Sequence, residues 1–94
     1  MNKQKVIDNV VSHYLDEMEQ YLGDVIAEFK YAYDRMNYEQ YKKEIKHIKI
    51  ELDNFINAIN LLKNPQNYWI DSYNDMKDYY IFYCSIHNKQ ISKK

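Results

Sequence analysis

Three histidines, one cysteine and a spaced set of carboxylates are the residues of this chain with chemistry to offer. In "EIKHIKIE", Glu44, His47 and Glu51 fall on one side of a helix. Glu-x-x-His is half of the signature of di-metal carboxylate bundles. The full site needs a second Glu-x-x-His and two more glutamates, whereas the chain offers only His13-x-x-Asp16, in the reverse order. His13, His47 and His87 fall on three different predicted helices, which leaves a converging imidazole site geometrically open. Histidines scattered this way are usually surface residues, and neither a metal nor any other cofactor is expected.

Cys84 lies in "KDYYIFYCSIH", residues 77–87, among aromatic neighbours rather than cationic ones. That setting predicts a buried, inert thiol. His87 is near enough in sequence to activate it, but nothing supplies the third group that would orient the histidine. No Gly-rich phosphate loop, nucleophile elbow or Cys-x-x-Cys is present, so the chain does not read as an enzyme. Asp71, Asp75 and Asp78 read as a solvated face.

The elements that hold these residues follow from composition. A chain of 94 residues makes one small domain, and a net charge of −1 gives no global pull toward nucleic acid or anionic membrane. With one Gly, one Pro and 11 Tyr, turn-makers are scarce, which favours a few long helices. A lone cysteine cannot close an internal disulfide, and no apolar run is long enough for a secretory or membrane segment. A cytoplasmic protein is expected.

Ile7, Val11, Tyr14, Met18, Leu22, Val25, Phe29, Ala32 and Met36 recur at spacings of three and four, predicting one long amphipathic helix. Gly23 could bend or split it. Asn37 reads as an N-cap, with Gln40 three residues on. Behind it Tyr38, Tyr41, Ile45, Ile48, Leu52, Phe55, Ile59 and Leu62 form an unbroken heptad seam. Lys42, Lys46 and Lys49 make one flank basic, and it could lie against the acidic side of the first helix. "KNPQN" is the clear break. The last helix is expected to begin with Asn64 as cap and Pro65 at its first position, or at Ser72. The expected fold is all-α, an antiparallel three-helix bundle, or four helices if Gly23 divides the first. It is one domain over residues 1–94, with a frayed basic tail from about 88.

"YYIFYCSI" has the content of a strand, but no second strand exists to pair with it. As a helix, Trp69, Tyr73, Met76, Tyr80, Tyr83 and His87 continue the core stripe. Tyr79, Phe82 and Ile86 then fall on an adjoining face at i, i+3 and i+7, the anchor spacing of a helix that lies in a groove. Three slender helices cannot cover every ring here, so Tyr79, Phe82, Tyr83 and Ile86 are the candidate partner-binding residues, for another protein or for a second copy. The bland alternative is that the first helix covers them.

Lys42, Lys43, Lys46 and Lys49, near tyrosines, are candidate nucleic-acid contacts. The single Arg and the slightly negative charge weigh against that reading. In size, helicity and composition the chain resembles small phage and mobile-element proteins that inhibit host factors, the anti-CRISPR type among them. It is also similar in these respects to antitoxins and bacteriocin immunity proteins. No motif ties it to one family. The implied function is a non-enzymatic protein that docks on a larger macromolecule and inhibits or regulates it.

Overall fold

Three α-helices make up the structure, a computed structural model: α1 (Lys3–Ala32), α2 (Tyr38–Ile59) and α3 (Asn67–Ser92), with a single 3-10 turn at Tyr33–Arg35. It describes residues 2–92, with side chains through Ile86. His87, expected on the core stripe, therefore has its side chain outside the described residues. No strand occurs among the described residues.

The short connections make neighbours antiparallel. Gln4 at the start of α1 meets the carbonyl of Leu61 just beyond α2, and Phe29 near the end of α1 packs on Tyr41 early in α2, ring centroids 5.1 Å apart. Tyr41 in turn donates a hydrogen bond to the Tyr83 carbonyl, while Phe55 late in α2 meets Trp69 early in α3. The result is a rod with extents of 59 × 17 × 17 Å. Its radius of gyration of 15.8 Å exceeds the about 12 Å of a rounded domain of this length.

The heptad seam of α2 packs as its spacing dictates: Tyr41, Ile48, Leu52, Phe55 and Ile59 are all buried, joined by Ala58. Tyr38, expected on that seam, is exposed, since it stands in the first turn where the bundle ends. Asn37 caps α2, accepting a 2.9 Å hydrogen bond from the Gln40 amide. On α1 the buried line runs Val11, Leu15, Leu22, Ile26 and Phe29. Ile7 and Tyr14, expected within it, are exposed, and Leu15 and Ile26 take their share of the core.

A register difference explains this. α3 begins only at the level of Glu19, where the Tyr68 hydroxyl donates to the Glu19 carboxylate. The first four turns of α1 therefore have the end of α2 as a neighbour but no third helix.

Gly23 does not divide α1, which is one 30-residue helix. The glycine has ordinary helical geometry, so its missing side chain costs helix propensity without breaking the hydrogen-bond ladder. α3 starts neither at Pro65 nor at Ser72 but at Asn67, its first turn closing as the Trp69 amide donates to the Gln66 carbonyl at 3.1 Å. The preceding loop is held from outside its own sequence. The Asp8 carboxylate accepts from the Lys63 amide at 3.4 Å and from Gln4 Nε2 at 2.8 Å. α3 ends at Ser92, and the side chains of the tail expected to fray from about 88, with Lys93 and Lys94 entire, lie outside the described residues.

The basic flank of α2 does not lie on the acidic side of α1. Among the described residues the ion pair is Lys49–Asp53, and His13 Nε2 meets the Glu17 carboxylate; each contact is 3.1 Å and within one helix. Exposed lysines keep their hydration, and packing across helices is left to apolar side chains.

Candidate docking face

α3 divides its large side chains between two faces. Trp69, Met76 and Tyr83 are buried, with Tyr73 and Tyr80 half-buried beside them. The Tyr83 ring is 1% exposed and sits edge-on to Phe29, centroids 4.6 Å apart. Tyr83 is thus a core residue, and its place among the candidate partner contacts is corrected: the stripe that carries Trp69 and Met76 also carries Tyr83 inward. Its hydroxyl is buried without a hydrogen-bond partner among the described residues. Burial, and then the neighbouring Tyr79 and Tyr33, push its phenol pKa up.

Tyr79 and Phe82 face the other way, 46% and 56% exposed. The first helix does not cover them. With Asp75 and Asp78 they bound one open hollow of about 620 Å³ on the outer side of α3. Ile86, the third expected anchor, is half-buried and packs against the core, so it forms the margin of the face rather than its centre. Two aromatic rings beside two carboxylates suit a surface that offers apolar groups next to cations, because rings and acids both attract Lys or Arg heads. Ile70 and Ile81 are exposed on other sides of the helix.

Cys84 is half-buried rather than sealed, and its closest influence is on tyrosines. Tyr80 is pushed up to about 12 by burial, then by a hydrogen bond with Cys84. Tyr41 is pushed up to about 12 by burial, with Cys84 next.

Glu44 and His47 line a second hollow, about 490 Å³, between α1 and α2. Val25, Phe29, Ala32 and Met36 give it an apolar floor, and Tyr21 closes one edge through a 2.8 Å hydrogen bond with His47 Nε2. His13 is far along α1 and pairs with Glu17, and no group of three metal-ligating side chains gathers among the described residues. Lys42, Lys43, Lys46 and Lys49 are all exposed. The four do not share one face: Lys43 lines the hollow beside His47, whereas Lys42, Lys46 and Lys49 follow one exposed side of α2, with Lys42 over the Tyr38 ring and Lys49 paired with Asp53.

A second apolar surface lies at the opposite end of the rod, where Val6, Ile7, Val10, Tyr14 and Leu61 are exposed. Sequence reading misses it, because nothing in the pattern of α1 announces that α3 starts late. The one available signal is the surplus of apolar positions at the start of α1, with Val6 and Val10 lying outside the core stripe.

No family model, no curated protein and no solved structure matches the chain. The fold and face define a class in physical terms: a helical rod with an acidic, aromatic strip along one outer helix. No helix among the described residues is long and apolar enough to cross a membrane.

Proposed function

We propose that this chain is a small non-enzymatic binding protein that docks through the outer face of α3 onto a larger cytoplasmic macromolecule and inhibits or regulates it. The observation that carries the reading is the pair of exposed rings, Tyr79 and Phe82, on the same hollow as Asp75 and Asp78. Exposed aromatics are expensive to hydrate and are the residues most enriched where partners bind. Tyrosine-rich surfaces also grip at low entropic cost, having few rotatable bonds. Within this class the proposal is an inhibitor of a host factor carried by a phage or mobile element, of the anti-CRISPR type. An antitoxin or immunity protein is the alternative.

The test is capture of a partner from cells of the native host with the wild-type chain and with Tyr79→Ala/Phe82→Ala. Loss of a stoichiometric partner, with the helical circular dichroism unchanged, supports the reading. A partner retained by the double variant places docking elsewhere.

A nucleic-acid reading rests on Lys42, Lys46 and Lys49, which line one exposed stripe of α2. Such binding weakens steeply with salt. A mobility shift absent at low ionic strength removes it.

A further inference from the structure

The start of α1 carries an apolar patch that the bundle leaves open. Val6, Ile7, Val10 and Tyr14 are exposed there, Val10 by 63%, with Leu61 from beyond the end of α2 beside them. α3 misses this patch both by level and by side. Its first turn meets Glu19, nine residues past Val10. Nine residues are two and a half helical turns, so α3 packs on the opposite side of α1. A contiguous apolar surface of this kind marks a contact.

The charges at its two ends say what covers it. Lys3 stands seven residues before Val10 and Glu17 seven after, and both are exposed. Seven residues are close to two turns, so the three positions share one line along α1, which is unbroken from Lys3 to Ala32. The line runs from base through apolar to acid. Turned end for end on a second copy, with Val10 on the two-fold axis, it sets Lys3 opposite Glu17 of that copy and Val6 opposite Tyr14. Laid parallel, it sets base against base and acid against acid. We infer that two copies of this chain pair antiparallel through the first half of α1, with Val10 packed on its own symmetry mate and a Lys3–Glu17 ion pair at each end.

Two further observations agree. The first turn of α1 contains no acidic residue, although a helix N-terminus carries partial positive charge and Lys3 adds to it. In the pair, Glu17 of the other copy brings the missing negative charge to that end. Glu17 meets His13 Nε2 at 3.1 Å on its own helix, and a carboxylate has acceptor sites left for a lysine as well. Because the patch lies on the side of α1 away from α3, pairing leaves Tyr79 and Phe82 of both copies open and is independent of docking there. One helix face against its copy is at the small end of specific interfaces, which implies a reversible dimer with a Kd on the order of tens of micromolar.

Sedimentation equilibrium from micromolar to submillimolar chain, at low and at high salt, tests it. The dimer is expected to weaken with salt and to be lost in Val10→Lys, which sets two like charges face to face on the axis. Because each substitution acts twice across a two-fold axis, Lys3→Glu and Glu17→Lys should each raise Kd about tenfold. An equimolar mixture of these two variants should associate to within about threefold of wild type, since both end pairs are then attractive again. All three positions are exposed, so the helical circular dichroism of each variant should be unchanged. A chain monomeric throughout overturns the inference, and so does a mixture no better than its components. A dimer that survives Val10→Lys and is lost in Tyr79→Ala/Phe82→Ala overturns it too, by placing self-association on α3.

Discussion

The hydroxyl of Tyr41 in α2 donates its hydrogen to the main-chain carbonyl of Tyr83 in α3, inside the bundle, where both rings are all but hidden from water. A tyrosine used this way ties two helices through a bond that neither helix could make alone. It also fixes the rotation of α3. With Tyr83 held inward, Tyr79 and Phe82 are delivered to the outside.

Removing that bond has a small cost. Tyr41→Phe keeps the ring packed on Phe29 and deletes only the donor, and a net hydrogen bond contributes about 0.5–1.5 kcal/mol. Urea denaturation should show a loss in that range with an unchanged slope. A loss of several kcal/mol would mean that the ring itself had moved.

The same phenol sets an alkaline limit. Burial pushes Tyr41 and Tyr80 up to about 12 from an ordinary 10.0, so the folded state holds these protons more tightly than the unfolded chain does. Stability from this source is fully present below pH 10 and is lost as pH rises from 10 through 12. Tyrosinate absorbance followed together with circular dichroism should show the last tyrosines ionising only as the helices unfold. In Tyr41→Phe the alkaline decline becomes shallower. All 11 tyrosines titrating together while the helices persist would contradict the burial of these two.

Inner and outer rings of α3 should respond in opposite ways. Tyr83→Ala opens a cavity beside Phe29 and should cost about 3–5 kcal/mol. That is a large part of what a domain of this size has. Tyr79→Ala with Phe82→Ala removes two exposed rings and should change the melting temperature by only a few degrees. Thermal melts of the two variants beside the wild type decide the matter: comparable destabilisation would place Tyr79 and Phe82 in the core.

Gly23 is an opportunity for stabilisation. It lies on the exposed side of α1, and a Cβ built there meets nothing within 4 Å. Gly23→Ala should stabilise by about 0.5–1 kcal/mol through helix propensity, raising the melting point by a few degrees. Any destabilisation would show that α1 bends there in solution.

Asp8 should act locally. Asp8→Ala deletes the acceptor that holds the Lys63 amide, leaving Gln4 as the side chain of α1 that hydrogen-bonds the loop before α3 among the described residues. Amide exchange should quicken around residues 61–66 while exchange in the middle of α2 is unaltered. Protection lost evenly along the chain would make Asp8 a global stabiliser instead.

Much of this architecture is legible in the sequence, and the reasons are local. The seam from Tyr41 to Ile59 keeps strict heptad spacing, and Asn37 has the side chain to cap the helix behind it, so α2 is readable residue by residue. The exposure of Tyr79 and Phe82 is also legible, because a helix with apolar groups on several sides exceeds what two neighbours can cover. What escapes is register. Where α3 begins depends on a carboxylate contributed by Asp8, more than fifty residues earlier, and on the Tyr68–Glu19 bond. Those contacts, not the local capping residues, decide that Ile7 and Tyr14 lie open while Leu15 is sealed. Tyr83 was ambiguous for the same reason: it borders both faces of its helix, and the Tyr41 bond settles which side it joins.

The slenderness of the bundle carries a consequence for how it moves through solution. A cylinder more than three times as long as it is wide tumbles and diffuses more slowly than a sphere of equal mass. On a sizing column a single chain will therefore elute ahead of its molecular weight and imitate a pair. Mass-sensitive detection, by light scattering or sedimentation, separates friction from association.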